Sequence, residues 1–176
     1  MAINHLLFMT CGFFLLFAGE VFSASPKYVP VSSFELNRYL GKWYEIARLP
    51  FSYEKGLVNV TATYSLRKDG KVKVVNEGYK NTKDGKHKVA NGKAKLGESP
   101  DQGYLRVSFF WPFYGDYIIA ELDPNYTYAM VISSPRYLWI LSREPKMDKT
   151  ILDDLIAKAQ KIGFDTSRLY FTPQEW

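Results

Sequence analysis

Cysteine is almost absent from this sequence. The chain of 176 residues contains one, Cys11, and it lies inside an apolar run near the amino terminus. A single cysteine excludes an intramolecular disulfide, and removal of the run would also exclude a thiol nucleophile and a thiolate metal site. Histidine is nearly as scarce, with only His5 and His87. A Ser-His-Asp triad in the mature chain would therefore depend on His87, which we expect to be exposed in a lysine-rich turn.

Motifs for catalysis are also missing. The sequence contains no GxSxG, no HExxH and no phosphate-binding loop of the GxxxxGK[ST] type. We therefore predict that the protein is not an enzyme, with no catalytic residues, no metal site and no cofactor.

Long hydrophobic runs are limited to one. Leu6 to Gly19 is apolar but short for crossing a hydrocarbon core of about 30 Å. Small residues follow it, so we predict a signal peptide at 1–23 with cleavage after Ser23. Met9 and Thr10 precede Cys11 where a lipidation site would need a small residue, so we do not expect a lipid anchor there. We predict that the protein is exported, and that the polar, proline-containing segment 24–33 is an extended arm.

Positive charge is concentrated in one segment. The net charge is +5, and six lysines and His87 lie between Lys80 and Lys95. These side chains could be the solvated edges of strands and a turn, or they could attract anionic lipid headgroups. We exclude nucleic acid as a partner because the chain has no known nucleic-acid-binding motif.

Aromatic residues are abundant, at 16% of the chain, and short alternating segments recur with turn signals between them. Asp69-Gly70 is the strongest hairpin signal. Ala90, Gly92 and Ala94 would leave room inside a closed sheet. The eight predicted strands are 42–49, 59–67, 71–79, 87–96, 104–110, 116–122, 128–133 and 137–142. Short connections favour an all-β fold, an eight-stranded up-and-down antiparallel barrel or calyx.

One C-terminal helix interrupts the strand pattern. Asp148 is a suitable N-cap, an apolar stripe runs from Ile151 to Ile162, and Gly163 ends the helix. We predict a flanking helix at about 148–162 on the outside of the barrel, followed by a short strand at 169–172. The barrel domain would span 34–176.

The two ends of the barrel sequence carry a matching pair of residues. Gly41 permits a sharp bend after a helical turn at 34–40, and Trp43 is the first large inward ring, with Ala47 and Leu49 on the same face. In a closed barrel the last strand lies beside the first, so Arg143 can cover the indole and donate to carbonyls before Gly41. Inward Glu45 and Glu121 could pair, but we expect each to have an Arg, Lys or Tyr partner.

Together these motifs resemble the lipocalins, and closely the bacterial outer-membrane (Blc) type, from Phe34 to about Phe171. The resemblance rests on 41–48, 60–66, 107–115 and 137–143, with Gly41, Trp43, Tyr44, Asp123 and Arg143 as its structural motif. It implies a protein of the periplasm or the outer membrane, with a calyx that is closed at Trp43 and binds a fatty acid or a lysophospholipid. The implied ligand-binding residues are Ala62, Tyr64, Val74, Val107, Phe109, Tyr117, Ile119, Val131, Tyr137 and Trp139.

Two other functions remain open from the sequence. The same aromatic wall would suit another hydrophobic ligand, such as haem or a siderophore-like compound. Alternatively, the protein could be a membrane-associated interaction protein whose aromatic loop, Trp111 to Tyr114, makes a peripheral membrane contact. We expect a monomer or a weak homodimer.

Overall fold

The chain folds into a closed barrel of eight antiparallel strands. The computed structural model describes residues 28–176, so the predicted signal peptide and the start of the arm lie outside the described residues. The strands are β1 (Gly41–Arg48), β2 (Leu57–Leu66), β3 (Val72–Lys80), β4 (His87–Leu96), β5 (Tyr104–Phe110), β6 (Phe113–Leu122), β7 (Tyr128–Ser134) and β8 (Tyr137–Ser142). Each strand pairs with the next, and β1 pairs with both β2 and β8, which confirms the predicted barrel.

Three further elements surround the barrel. The short helix α1 (Leu36–Tyr39) precedes β1, helix α2 (Lys149–Lys161) follows β8, and the two-residue strand β9 (Tyr170–Phe171) lies against β1. The Asp148 carboxylate accepts hydrogen bonds from the backbone N–H groups of Thr150 and Ile151, as the predicted N-cap requires. Leu155 and Ala159 are fully buried against the outside of the barrel, so the predicted flanking position of the helix is also confirmed.

The predicted aromatic loop at 111–115 is wrong in part. Phe110 pairs with Phe113, and Gly115 pairs with Val107, so β6 begins at Phe113 and only Trp111 and Pro112 form the turn. The Trp111–Pro112 peptide bond is cis. Strand pairing up to the turn satisfies backbone groups that a five-residue loop would leave to solvent, although the register shifts between Val107 and Phe110.

The predicted single inward face of β1 is also wrong beyond Glu45. The register of β1 against β8 shifts between Glu45 and Ala47, and Ala47 and Leu49 pack in the cluster beneath α2 while Trp43 stays in the barrel interior. A bulge of this kind moves the following side chains to the other face of the sheet. Strand β1 therefore contributes to both cores of the molecule.

The two cores lie on opposite sides of the barrel wall. The inner cluster contains Trp43, Tyr64 and Val74, and the outer one joins α2 to the outward faces of β6, β7 and β8. The inner cluster fills the end of the barrel near α1 and Trp43. The other end is where the cavity described below opens.

Candidate functional site

The barrel encloses a cavity of about 900 Å³. This value lies within the roughly 300–1,000 Å³ typical of pockets that enclose a small organic ligand. Apolar and aromatic side chains form most of the wall, with a few polar groups placed among them. Phe109 remains 37% exposed although it borders the cavity, because the cavity is open to solvent at one end.

The structure brings eight of the ten predicted ligand-binding residues to the cavity wall. They are Ala62, Tyr64, Val74, Val107, Phe109, Tyr117, Val131 and Trp139. The predicted inward alternation agrees with the register, since Tyr64 pairs with Val74 and Val74 with Gly92. Contact of these side chains with a ligand stays a prediction.

The other two predicted residues do not border the cavity. Ile119 is fully buried in the inner cluster and does not border the cavity, although its cross-strand partner Val131 does. The ring of Tyr137 packs edge-on against the ring of Phe51, with 5.0 Å between the centroids. Phe51 borders the cavity, and Tyr137 does not. Inward alternation predicts which side chains face the interior of the barrel, but it does not predict which of them border the cavity.

Small residues of β4 shape one part of the barrel wall. Ala90 borders the cavity, and Ala94 is fully buried. Gly92 has no space for a side chain, because a Cβ there would lie 2.9 Å from the ring of Phe109. The small residues of β4 therefore have two effects. Gly92 allows the ring of Phe109 to pack closely, and Ala90 leaves part of the cavity open.

The floor of the barrel is closed by the predicted pair of Trp43 and Arg143. The Arg143 guanidinium carbon lies 3.9 Å from the centroid of the indole ring. Its Nη2 donates to the carbonyls of Arg38 and Tyr39, and the Trp43 Nε1–H also donates to the Tyr39 carbonyl at 2.8 Å. The stacked cation and the shared carbonyl fix α1 across the end of the barrel.

Gly41 and Asp123 support this closure. Gly41 has φ of +98°, and a Cβ there would lie 3.2 Å from Arg143 Nη1. Asp123 accepts hydrogen bonds from the backbone N–H groups of Asn125 and Thr127, which shape the β6–β7 turn. That turn presents the Tyr126 carbonyl to Arg143 Nε at 3.2 Å. Tyr44 takes no part in the closure, since its ring meets that of Trp176 on the outer side of β1.

Three tyrosine hydroxyls meet at the bottom of the cavity. The Tyr117 hydroxyl lies 2.8 Å from the hydroxyl of Tyr39 and 2.7 Å from that of Tyr64. Burial raises the pKa of each of the three phenols above the ordinary value, so all three stay neutral near pH 7. The group gives the apolar floor a small polar centre with no net charge.

A buried ionic cluster lies in the cavity wall near its opening. Arg48 Nη1 donates to the Glu45 carboxylate at 2.7 Å, and Arg48 Nε lies 3.4 Å from the Glu54 carboxylate. The Trp139 indole N–H donates to Glu54 at 3.1 Å, and the Thr172 hydroxyl donates to Glu45. One guanidinium thus faces two carboxyl groups in a place where water is largely excluded.

Because one guanidinium faces two carboxyl groups, protonation of the Glu45–Glu54 pair is favoured. Burial, followed by the charge of Glu45, raises the pKa of Glu54 to about 8. Burial also raises the pKa of Glu45, against the opposing effect of Arg48. Because two carboxylates cannot both ionise cheaply beside one cation, the pair holds one shared proton near pH 7. The cluster then carries no net charge.

The predicted inward position of Glu121 is wrong, and it does not pair with Glu45. Glu121 lies on the outer side of the barrel, where Lys158 of α2 donates to it at 3.0 Å. The register of β6 against β7 shifts between Ile119 and Glu121, so alternation fails at that position. Each carboxylate does have the basic partner that we expected, Arg48 for Glu45 and Lys158 for Glu121.

The C-terminal tail closes a gap in the barrel wall that the sequence does not reveal. Strands β1 and β2 pair only from Gly41 to Tyr44 on the β1 side. Above that point the Gln174 side-chain amide donates to the carbonyls of Glu45 and Val60, both at 2.9 Å, and Asn59 N–H donates to Pro173. The tail therefore bridges two strands that do not meet each other.

Sequence reasoning missed Glu54, Arg48 and Thr172 as parts of the site. Glu54 lies in an irregular connection, Arg48 follows a bulge, and Thr172 is 124 residues from Arg48 in the chain. The one available signal was Glu45, a carboxylate two residues after Trp43 in an alternating strand. Burying such a charge requires a cation nearby.

His87 takes no part in this site. It lies at the start of β4, where its ring stacks on Tyr79 and its Nε2 is 3.1 Å from the exposed Glu77 carboxylate. Within residues 28–176, no cluster of three or more His, Cys, Asp or Glu side chains could hold a metal ion. Neither helix of this part of the chain has the length and hydrophobicity to cross a membrane.

Comparison with known proteins agrees with this architecture. The Lipocalin-like domain family matches residues 34–174. The protein Outer membrane lipoprotein Blc of Vibrio cholerae is 53% identical over 149 residues, covering 83% of this chain and 86% of its own. The Escherichia coli K12 protein of the same name is 46% identical over 145 residues, with 82% and 81% covered. Temperature-induced lipocalin-1 of Arabidopsis thaliana is 38% identical over 153 residues, with 82% and 81% covered.

Solved structures show the same fold at lower identity. Insecticyanin from the tobacco hornworm Manduca sexta superposes with a TM-score of 0.68 at 21% identity, covering 84% of each chain. Lobster apocrustacyanin A1 has a TM-score of 0.63 at 21% identity, with 87% of this chain and 94% of that one covered. With the family match, the relatives and the open apolar calyx in agreement, the chain belongs to the lipocalin family and is a binding protein for a small hydrophobic ligand.

Proposed function

We propose that this protein binds and carries a fatty acid or a lysophospholipid in the bacterial cell envelope, without catalysing a reaction. The observation that carries the proposal is the open cavity of about 900 Å³ with its mainly apolar wall. The names of the bacterial relatives, Outer membrane lipoprotein Blc, support the envelope as its location.

A single-chain amphiphile suits the distribution of polar groups. The deep wall is apolar, apart from the neutral tyrosine group, so an acyl chain can be buried there. The open end carries lysines that border the cavity, Lys55, Lys80 and Lys88, and these can meet a phosphate or a carboxylate. Each methylene buried from water contributes about 0.8 kcal/mol, so affinity should depend mainly on the length of the acyl chain.

Titration with lysophospholipids of increasing chain length tests the proposal. We expect quenching of Trp139 fluorescence and retention of one lipid per chain in native mass spectrometry. Each added methylene should lower Kd roughly fourfold until the cavity is full. Free fatty acids of the same lengths, run in parallel, would show which headgroup is preferred.

Two matched variants connect binding to the cavity. Ala90→Trp places a large ring at a position that borders the cavity, and Asn91→Trp places the same ring on the exposed neighbour. Ala90→Trp should weaken binding of the longest lipid at least tenfold, and Asn91→Trp should leave it unchanged. Equal binding by both variants, or no lipid bound to the wild-type protein, would contradict the proposal.

A further inference from the structure

The open end of the barrel carries an exposed aromatic surface that extends beyond the cavity: Tyr53, Phe110 and Phe113 border the cavity, and Trp111 does not. Tyr53 is 75% exposed, Phe110 69%, Trp111 76% and Phe113 77%. These four residues, here called the rim aromatics, lie in the β1–β2 connection and in the β5–β6 hairpin. The two parts adjoin, with 6.5 Å between the ring centroids of Tyr53 and Phe110. A cluster of large rings held in water on a monomer indicates a contact surface.

Lys55, Lys80 and Lys88 border the cavity as three of these rings do, together with the acidic side chains of Glu77 and Asp116. Between Lys80 and Lys88 the chain has four lysines and one acid, Asp84. Lys80 Nζ donates to the Lys55 carbonyl at 2.7 Å, which ties this segment to the β1–β2 connection. Within the described residues, Lys83 and Lys86 have no ion-pair partner.

The closed end of the barrel is different. There Arg67 and Lys71 share Asp69, and Arg38 pairs with Glu35. Within the described residues, Lys68 and Arg143 at the closed end have no acidic partner, so that end is only partly neutralised. At the rim, the five lysines Lys55, Lys80, Lys83, Lys86 and Lys88 outnumber the acidic residues Glu77, Asp84 and Asp116. The asymmetry gives the molecule one face that an anionic surface would attract.

We propose that the rim aromatics and the rim lysines dock the open end of the calyx onto an anionic lipid bilayer. Tyr and Trp are suited to the boundary between headgroups and acyl chains, since each has an apolar body and a polar group. Lysines near such a surface each strengthen attraction to anionic headgroups. A second copy of this chain is disfavoured as the occupant because two rims would bring like charges together.

Docking in this orientation places the entrance of the cavity against the lipid. A single-chain lipid could then pass from the bilayer to the calyx without crossing water. The docking itself requires no bound ligand, so it can be tested separately from the proposed carrier function.

Flotation with lipid vesicles tests the orientation. Vesicles of equal parts phosphatidylcholine and phosphatidylglycerol should carry the purified protein, vesicles of phosphatidylcholine alone should carry much less, and added salt should release it. Trp111→Ala should lower the partition coefficient at least tenfold. Neutralising Lys86 as Lys86→Gln should lower it roughly fivefold.

Matched variants at the closed end provide the controls. Trp176 is 62% exposed and lies beside Tyr44 near the closed end of the barrel. Trp176→Ala therefore removes an exposed tryptophan ring that is not at the open end. Lys68→Gln removes an exposed lysine from the β2–β3 turn. We expect both variants to float like the wild-type protein. Ala90→Trp should also float unchanged, since it alters the cavity and leaves the rim aromatics in place.

Several results would overturn the proposal. These are no flotation with anionic vesicles, flotation that Trp111→Ala and Lys86→Gln leave intact, and equal losses from variants at both ends. Loss of flotation in Ala90→Trp would assign vesicle binding to the cavity instead. A dimer in sedimentation analysis that Trp111→Ala abolishes, without vesicle binding, would assign the surface to a second copy of this chain.

Discussion

Arg143 shows how much of the barrel closure depends on a single side chain. Its guanidinium stacks on Trp43 and donates to the carbonyls of Arg38, Tyr39, Lys42 and Tyr126. These carbonyls belong to three separate parts of the chain, namely α1, the start of β1 and the β6–β7 turn. Removing the side chain would leave all of them without this donor.

We therefore predict that Arg143→Ala lowers the free energy of unfolding by about 2–4 kcal/mol, through the lost cation–π contact and the lost charged hydrogen bonds. Urea unfolding followed by fluorescence would measure the change. Arg136→Ala, in the exposed β7–β8 turn, is the matched control and should stay within about 0.5 kcal/mol of wild type. Similar values for the two variants would show that the closure does not need Arg143.

The Glu45–Glu54 pair makes stability depend on pH. Glu54 has an ordinary pKa of 4.5 and one of about 8 in the folded protein, so the native state holds a proton that the unfolded state releases. The free energy of unfolding should therefore fall as pH rises across that window. Glutamine resembles the protonated carboxyl group, so Glu54→Gln should flatten this fall.

Urea unfolding at a series of pH values between about 5 and 8 would measure this dependence. Glu144→Gln, at an exposed position, is the control and should keep the wild-type slope. A wild-type protein that gains stability with rising pH across this range would contradict the shared proton.

At the scale of elements, the C-terminal tail acts as part of the barrel wall. Its Gln174 side chain connects β1 to β2, and its Thr172 hydroxyl contacts Arg48 of the ionic cluster. Trp176 covers the outer side, with its ring 5.7 Å from that of Tyr44. The tail thus supports the opening of the cavity from outside.

Gln174→Ala should lower the free energy of unfolding by about 1–3 kcal/mol, because two carbonyls in the wall lose their donor. Hydrogen exchange should increase in the upper halves of β1 and β2, while β4 and β5 remain protected. Glu175→Ala is a suitable control at the neighbouring position, because Glu175 donates to Asn59 through its backbone N–H, which the substitution keeps. Uniform exchange across the barrel would mean that the tail does not close a local gap.

For the whole molecule, ligand binding and stability are linked. A ligand that binds only the folded barrel at about 100 times its Kd raises the free energy of unfolding by about 2.7 kcal/mol. We expect a saturating lysophospholipid to raise the melting temperature of the wild-type protein and of Asn91→Trp, but to have little effect on Ala90→Trp. An equal rise in all three proteins would place the lipid outside the cavity.

The barrel, its flanking helix and the Trp43–Arg143 closure could all be predicted from the sequence. Alternating residues, turn pairs and an N-cap act over a few positions, so they can be read locally. The sequence also predicted eight of the residues that border the cavity, since inward parity continues along an undistorted strand.

The positions where that parity fails, and the distant residues that meet, depend on how the chain packs in three dimensions. Bulges in β1 and β6 turned Ala47, Leu49 and Glu121 outward, and a bulge has no reliable sequence signal. The absence of Ile119 from the cavity wall, the position of Glu54 beside Glu45 and the sealing tail depend on contacts between segments far apart in the chain. Packing in three dimensions selects such contacts, and no local pattern records them.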